Sequence, residues 1–229
     1  MEDTPLHRLL SACSPVLDAA GLLSGDQIEP RYCQDWIGGH GTPLAVVRPR
    51  SPEEVARVMA ILHALHQPVV VQGGMTGLVG ACVPQPGEVV LSMERLRAIE
   101  EFDTGAGTVK VQSGVALQTL QEHVEAQGWF FPVDIGSRGS CQIGGIIATN
   151  AGGNRVLRYG MTRQSVLGLE VVLPDGSVVS RLGKALKDNA GYDLKHTFIG
   201  SEGTLGIITR AQLALQPLPT TQHTALVSV

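Results

Sequence analysis

Apolar positions in this chain follow two periods that alternate along its length. Over residues 5–20, Leu6, Leu9, Leu10, Cys13, Val16 and Leu17 recur at helical spacing and predict an amphipathic helix. Ala45–Val47 is a short apolar run of strand type. Ser51 then stands before Pro52, Glu53 and Glu54, which places a hydroxyl cap, a first-turn proline and two acidic side chains at a helix start. That helix presents Val55, Val58, Met59 and Leu62 inward and ends near His66. Residues 69–71 form the next strand and close a βαβ-like unit. Residues 89–91 and 109–112 predict strands separated by the turn-rich stretch MERLRAIEEFDTGAG. Residues 116–126 predict a helix with Leu117, Leu120 and Val124 facing inward, and residues 143–150 a short helix of small side chains. Residues 167–173 and 178–181 flank Pro174-Asp175-Gly176 and read as a hairpin. A last strand over residues 206–215 precedes Pro217 and Pro219, which mark a boundary. The pattern is α+β, without internal repeats.

Three glycine-dense stretches interrupt this pattern. PVVVQGGMTGLVG, residues 68–80, follows a strand and carries glycines 73, 74, 77 and 80. GSRGSCQIGGIIATNAGGN covers residues 136–154, and IGSEGTLGIIT covers 199–209. Positions without a Cβ let the backbone turn at positive φ and bring its N–H groups close to an anion. Three such loops, interleaved with Thr and Asn, suggest a chain wrapped around a long, phosphate-bearing cofactor. Gly73, Gly74 and Gly77 do not satisfy G-x-G-x-x-G, and no acidic residue ends a strand at the matching distance. No Gly-Lys-Ser/Thr occurs, so a P-loop is excluded as well.

Composition narrows the reading. With 229 residues, 43% hydrophobic and 17% charged, the chain has length and apolar content for a real core. A net charge of −4 argues against sequence-independent nucleic-acid binding. No apolar run approaches a membrane span, and the acidic start MEDTPLHRLL does not read as a secretory signal. Cysteines 13, 33, 82 and 141 show neither CxxC nor Cys/His ligand spacing, which suggests reduced thiols in a cytoplasmic protein and no metal site.

The strings RPRSPEEV, VVVQGGMTGLVGACVP, PVDIGSRGSCQIGGIIATNAGGNRVLRYG, VLGLEVVLPDG and KDNAGYDLKHTFIGSEGTLGIIT run in order through residues 48–209 and carry a resemblance that covers about residues 32 to 229. Together they resemble the vanillyl-alcohol-oxidase (PCMH) type of FAD-binding domain, in the branch of FAD-linked D-2-hydroxyacid dehydrogenases that act on D-2-hydroxyglutarate, D-lactate or glycolate. The resemblance implies two subdomains, about 40–110 and 111–219, after an N-terminal helical extension of residues 1–39. It also implies that residues 220–229 begin a C-terminal substrate-binding cap absent from this sequence. The first loop would cradle the FAD pyrophosphate through Gly73, Gly74, Met75, Thr76, Gly77 and Leu78. The second would run beside the ribityl chain and ring through Pro132, Asp134, Gly136, Ser137, Gly144, Gly145, Thr149, Asn150 and Gly152. The third would contribute Glu202, Gly203, Gly206 and Ile207. A β-branched side chain at Gly74 or Gly77 is expected to clash with phosphate and to resist positive φ. Met75 and Thr76 stand where covalent relatives place His, so the resemblance implies non-covalent FAD. Ala190 replaces the threonine of the family's DNTGY.

Several residues keep two readings. Asp134 and Glu202 are either cofactor contacts or carboxylates that order their loops. Arg158 and Tyr159 either face substrate or belong to a structural ion pair. His63 and His66 fit solvated helix-end residues better than metal ligands, and Cys141 fits a small packed residue better than a reactive thiol. The resemblance implies the FAD-binding part of an oxidoreductase that takes hydride from a D-2-hydroxyacid to give a 2-keto acid. Its catalytic groups would lie on a cap, either a second chain or a missing segment, and the isolated chain would be inactive and prone to self-association. A non-catalytic FAD module or remnant is the alternative, and a reductase of alditols or cell-wall precursors on the same fold is a third. The electron acceptor is not legible.

Overall fold

In the computed structural model, which describes residues 4–221 and 223–227, two sheets stand side by side. Helix α1 (Pro5–Cys13) opens with the Thr4 hydroxyl accepting from the His7 N–H at 3.2 Å. It stops well short of residue 20. Pro15, just past the C-terminal cap Ser14, has no N–H to continue the ladder. Leu17 is nevertheless buried beside Leu9 and Cys13, because the chain folds back over the same core.

Strands β1 (Leu22–Leu23) and β2 (Ala45–Val47) precede helix α2 (Pro52–Ala64), which leads to β3 (Val69–Gln72) and then β4 (Val89–Ser92). The sheet order is β1-β2-β4-β3, with β2 and β3 both parallel to the central β4. Helix α2 begins as its sequence directs: the Ser51 hydroxyl accepts from Glu54 N–H at 3.2 Å. It ends before His66, whose φ of +51° turns the chain. Val55, Val58, Met59 and Leu62 form its buried stripe against α1 and the sheet.

The second sheet is antiparallel, in the order β5-β6-β10-β8-β9. Its strands are β5 (Ile99–Asp103), β6 (Thr108–Gln112), β8 (Val166–Val172), β9 (Val178–Arg181) and β10 (Ile207–Ala214). The pair β7 (Trp129–Phe130) and β11 (Gln216–Pro217) makes a small separate ladder, so β10 is not the last strand. Helices α3 (Leu117–Glu125) and α4 (Ile143–Ala148) bury Leu117, Leu120, Val124, Ile143 and Ile147 against this sheet, while α5 (Val156–Tyr159) and α6 (Lys195–Phe198) are single turns.

Strand β5 lies in a stretch that reads as turn-rich. It is an edge strand whose carboxylates hide its alternation: Glu101 and Asp103 pair with Lys184 at 2.6 and 2.7 Å, and Glu100 with Arg210 at 2.8 Å. Both β5 and β6 hydrogen-bond within the second sheet, so the change of sheet falls after β4, upstream of residue 110. The N-terminal helix and β1 pack into the first core and first sheet. Val172 and Ile207 from the second sheet also enter that core, which fuses the two halves.

Candidate functional site

The first glycine loop leaves the end of β3, the second surrounds α4, and the third leads into β10. Their meeting is enforced by close packing. A Cβ on Gly74 would stand 2.0 Å from the Ser140 carbonyl oxygen, so only glycine lets the first loop lie on the second. The third loop closes on the other end of α4, where Gly200 N–H donates to Ile147 O at 3.2 Å and Glu202 N–H to Ala148 O at 2.9 Å. Those carbonyls are the ones a helix C-terminus leaves open.

Between the loops lies a cleft of about 280 Å3. Its first wall is Gly73, Gly74, Met75, Thr76 and Gly77; its second Ser137, Gly144, Gly145 and Thr149; its third Glu202, Gly203, Gly206 and Ile207. A second cleft of the same size shares Val71, Gly203, Gly206 and Ile207 with it and reaches toward His63 and Gln67. Leu78, Pro132, Asp134, Gly136, Asn150 and Gly152 are not part of the first cleft wall. Leu78 is exposed and Pro132 buried. Asp134 Oδ2 stands 3.6 Å from Arg155 Nε. Asn150 accepts from the Arg163 backbone N–H at 3.0 Å. Gly152 is packed against Met161, whose Sδ a Cβ would approach to 2.8 Å.

Backbone geometry changes the account of the first loop. Gly73, Gly74 and Gly77 do not adopt positive φ; Met75 (+53°) and Gly80 (+73°) do. Gly74 is glycine because of Ser140, not because of φ. Gly77 and Gly145 are different again: a Cβ on either would meet nothing within 4 Å, and neither has positive φ. No described residue requires glycine at these two positions, and both line the cleft.

The backbone N–H groups of residues 73–79 make no hydrogen bond with any described residue. Glu202, at φ +54°, is the one charged side chain among the lining residues. Cys82 and Cys141 also line the cleft; burial pushes both thiols above their ordinary range, with the Asp35 charge adding to the effect at Cys82. Such thiols are protonated and poorly nucleophilic. Ser113 and Gln142 are wall residues that the glycine pattern does not reveal: Ser113 lies outside the three glycine-dense stretches, and Gln142 is a non-glycine position within the second.

Other candidates lie elsewhere. The Arg158 guanidinium stacks on the Tyr159 ring at 5.1 Å, and that ring meets Phe130 edge-on at 5.7 Å. His63 and His66 are exposed, and no group of three metal-ligating side chains occurs among the described residues. Among those residues no helix is long and apolar enough to cross a membrane.

The cleft fits a dinucleotide cofactor. Its N–H groups suit phosphate oxygens, its two unforced glycines leave room for close approach, and its floor of Val71, Met93, Ile146 and Ile208 is apolar, as a flat ring requires. D-2-hydroxyglutarate dehydrogenase, mitochondrial, from Bos taurus is 43% identical over 217 residues, covering 94% of this chain and 40% of that protein. A probable D-2-hydroxyglutarate dehydrogenase, mitochondrial, from Oryza sativa subsp. indica is 47% identical over 208 residues, or 90% of this chain and 37% of that one. The chain thus spans about two-fifths of the length of these relatives. The fold matches a solved alkyldihydroxyacetonephosphate synthase with a TM-score of 0.84 at 24% identity, over 96% of this chain and 42% of the other. The sequence profile described as FAD binding domain matches residues 43–181, through β2, the first two glycine loops and the β8–β9 hairpin, and the chain belongs to that family of FAD-binding proteins.

Proposed function

We propose that this chain is the FAD-binding part of a flavin-dependent D-2-hydroxyacid dehydrogenase. The observation that carries the reading is the run of unpaired backbone N–H groups at 73–79, at the mouth of a cleft that none of the chain's basic side chains lines. Bound there, FAD supplies an acceptor for the hydride on the α-carbon of a D-2-hydroxyacid such as 2-hydroxyglutarate, lactate or glycolate, leaving the 2-keto acid. The first loop holds the pyrophosphate through Gly73, Gly74, Met75, Thr76, Gly77 and Leu78. The second and third hold the ribityl chain, ring and adenosine, with Asp134, Asn150 and Gly152 ordering the second from behind. The substrate class follows from the names of the relatives. The cytoplasmic placement suggested by the free thiols belongs to the same proposal, although the two relatives above carry "mitochondrial" in their names.

FAD is held without a covalent bond. Residues 73–78 contain no His, Cys or Tyr, and the two thiols in the cleft stay protonated. Acid precipitation is expected to release the yellow flavin into the supernatant; colour left on the pellet would refute this.

Hydride removal needs a base on the hydroxyl and a cation on the carboxylate. The wall contains no His, Lys or Arg. We therefore assign those groups to a cap outside residues 1–229, on a further segment, a separate chain or a second copy. A non-catalytic FAD module fits the same lack of groups, and anaerobic mixing with each hydroxyacid separates the two: flavin bleaching in the presence of cap but not without it supports the dehydrogenase.

The cofactor reading itself is tested at Gly145. Alanine there fills no occupied space and improves a helix interior, so the FAD-free protein is expected to melt higher, by about 0.5–1 kcal/mol of stability. FAD affinity is expected to fall at the same time. Unchanged flavin binding by Gly145→Ala and by Gly77→Val would remove the cleft as the flavin site.

A further inference from the structure

Two polar atoms in the cleft wall are buried without a partner. Ser113 is 1% exposed and its Oγ makes no hydrogen bond, and Gln142 Oε1, equally shielded from water, makes none. Of the described buried side-chain N and O atoms left unpaired, only these two belong to residues lining the cleft. Buried polar atoms are almost always satisfied, so an unpaired pair on one cavity wall points to a ligand.

Their positions specify which part of the ligand. Ser113 follows β6, and its carbonyl accepts from Gly144 N–H at 2.7 Å. A Cβ on Gly144 would come 2.6 Å from Ser113 Cβ, so Ser113 sits directly beneath the paired glycines of the second loop. Gln142 precedes α4, makes no cap with its side chain, and holds Oε1 3.4 Å from where a Cβ on Gly73 would be. It therefore spans the first and second loops. Phosphate oxygens only accept hydrogen bonds, and the 73–79 N–H groups already suit them. An amide oxygen does not. A hydroxyl and a carboxamide both donate and accept, which matches a polyol.

We propose that the Ser113 hydroxyl and the Gln142 carboxamide hydrogen-bond the ribityl hydroxyls of FAD, between phosphates at the first loop and the ring at the second. The inference rests on the flavin reading of the cleft. It makes both residues side-chain contacts of the cofactor, Ser113 outside the glycine stretches and Gln142 within the second.

The test uses the 229-residue chain and the variants Ser113→Ala and Gln142→Ala. Thermal midpoints are recorded with and without FAD, and FAD and analogues lacking single ribityl hydroxyls are titrated by flavin fluorescence. Replacing an unpaired buried hydroxyl by hydrogen is expected to leave the FAD-free midpoint of Ser113→Ala unchanged or raised, while each variant binds FAD about tenfold more weakly. At least one deoxy analogue is expected to bind the wild type more weakly than FAD does, and a variant equally to FAD. Wild-type affinity and wild-type discrimination in both variants, with binding lost in Gly77→Val, would overturn the inference and leave the flavin reading standing. A lowered FAD-free midpoint with discrimination intact would overturn it too, by showing a structural role. A wild-type chain that binds neither FAD nor its analogues would overturn both.

Discussion

Glu202 adopts a φ of +54°, Met75 +53° and Asn150 +47°, one left-handed non-glycine residue in each of the three loops. Such positions carry strain that the surrounding packing must hold, and they concentrate where backbone is shaped for a ligand. At Glu202 the carboxylate stands in the cleft without a paired cation, facing a site whose proposed occupant carries two phosphate charges. Glu202→Gln is therefore expected to bind FAD a few-fold more tightly at low ionic strength, with the gain shrinking as salt screens it. Titration at two salt concentrations checks this; weaker binding by the glutamine variant would mean that the carboxylate accepts a cofactor hydroxyl. The first loop separates two kinds of glycine in the same way. Gly74→Val drives a side chain into the Ser140 carbonyl and is expected to lower the melting temperature of the FAD-free protein, whereas at Gly77, where a Cβ has nothing within 4 Å, valine is expected to leave it intact. Sequence marks both as glycine; only the neighbours distinguish them.

Elements with strong local signals are legible before folding. Helix α2 has its cap, first-turn proline and acidic residues in consecutive positions, and the β8–β9 hairpin has Pro174-Asp175-Gly176 between two apolar runs. What that hairpin touches is not legible. Gly176, at φ +87°, places its Cα against α2, where a Cβ would stand 2.6 Å from Ala56 O and 2.8 Å from Ala60 Cβ. The turn thus docks the second sheet onto α2, which packs on the first. Gly176→Ala is expected to cost about 3 kcal/mol, combining left-handed strain with overpacking. Gly128→Ala, at φ +78° with nothing within 4 Å, carries the strain alone and is expected to cost about 1 kcal/mol. Urea unfolding of the two variants checks the difference; equal losses would mean that the contact with α2 contributes nothing. Strand β5 shows the opposite case, an element hidden in sequence because edge position allows Glu100, Glu101 and Asp103 where a central strand would demand apolar residues.

Across the whole molecule, one buried charge cluster ties the N-terminal segment to the end of β4. Tyr32 Oη donates to Glu94 Oε1 at 2.5 Å, Arg31 Nη1 donates to Oε2 at 2.6 Å, and Arg48 Nε lies 2.7 Å from Oε1 without hydrogen-bond alignment. Burial alone would raise the Glu94 carboxyl, but the hydrogen bonds from Tyr32 and Arg31 and the charges of both arginines outweigh it and hold the group below its ordinary value of 4.5. A carboxylate held lower in the folded state stabilises the protein above that ordinary value, and the contribution disappears as pH falls through the folded one. The stability difference between wild type and Glu94→Gln is thus expected to be largest near neutrality and to close in acid below 4.5. Urea midpoints across pH check it; a difference independent of pH would mean that Glu94 acts through packing alone.

Local patterns determined where α2 and the β8–β9 hairpin begin and that glycine concentrates in three loops. Each of these depends on neighbours within a few residues: a cap, a proline, a period, a missing Cβ. Tertiary structure alone decided that Leu17, beyond the end of α1, still reaches the core, that β5 and β6 join the second sheet, and that Ser113 and Gln142 are left unpaired beside the cleft. Those outcomes depend on residues far apart in sequence meeting in space, as Gly74 meets Ser140 and Gly176 meets Ala56. A single chain read in order contains the residues of such contacts but not their distances, and the burial of one group by another is a property of the pair.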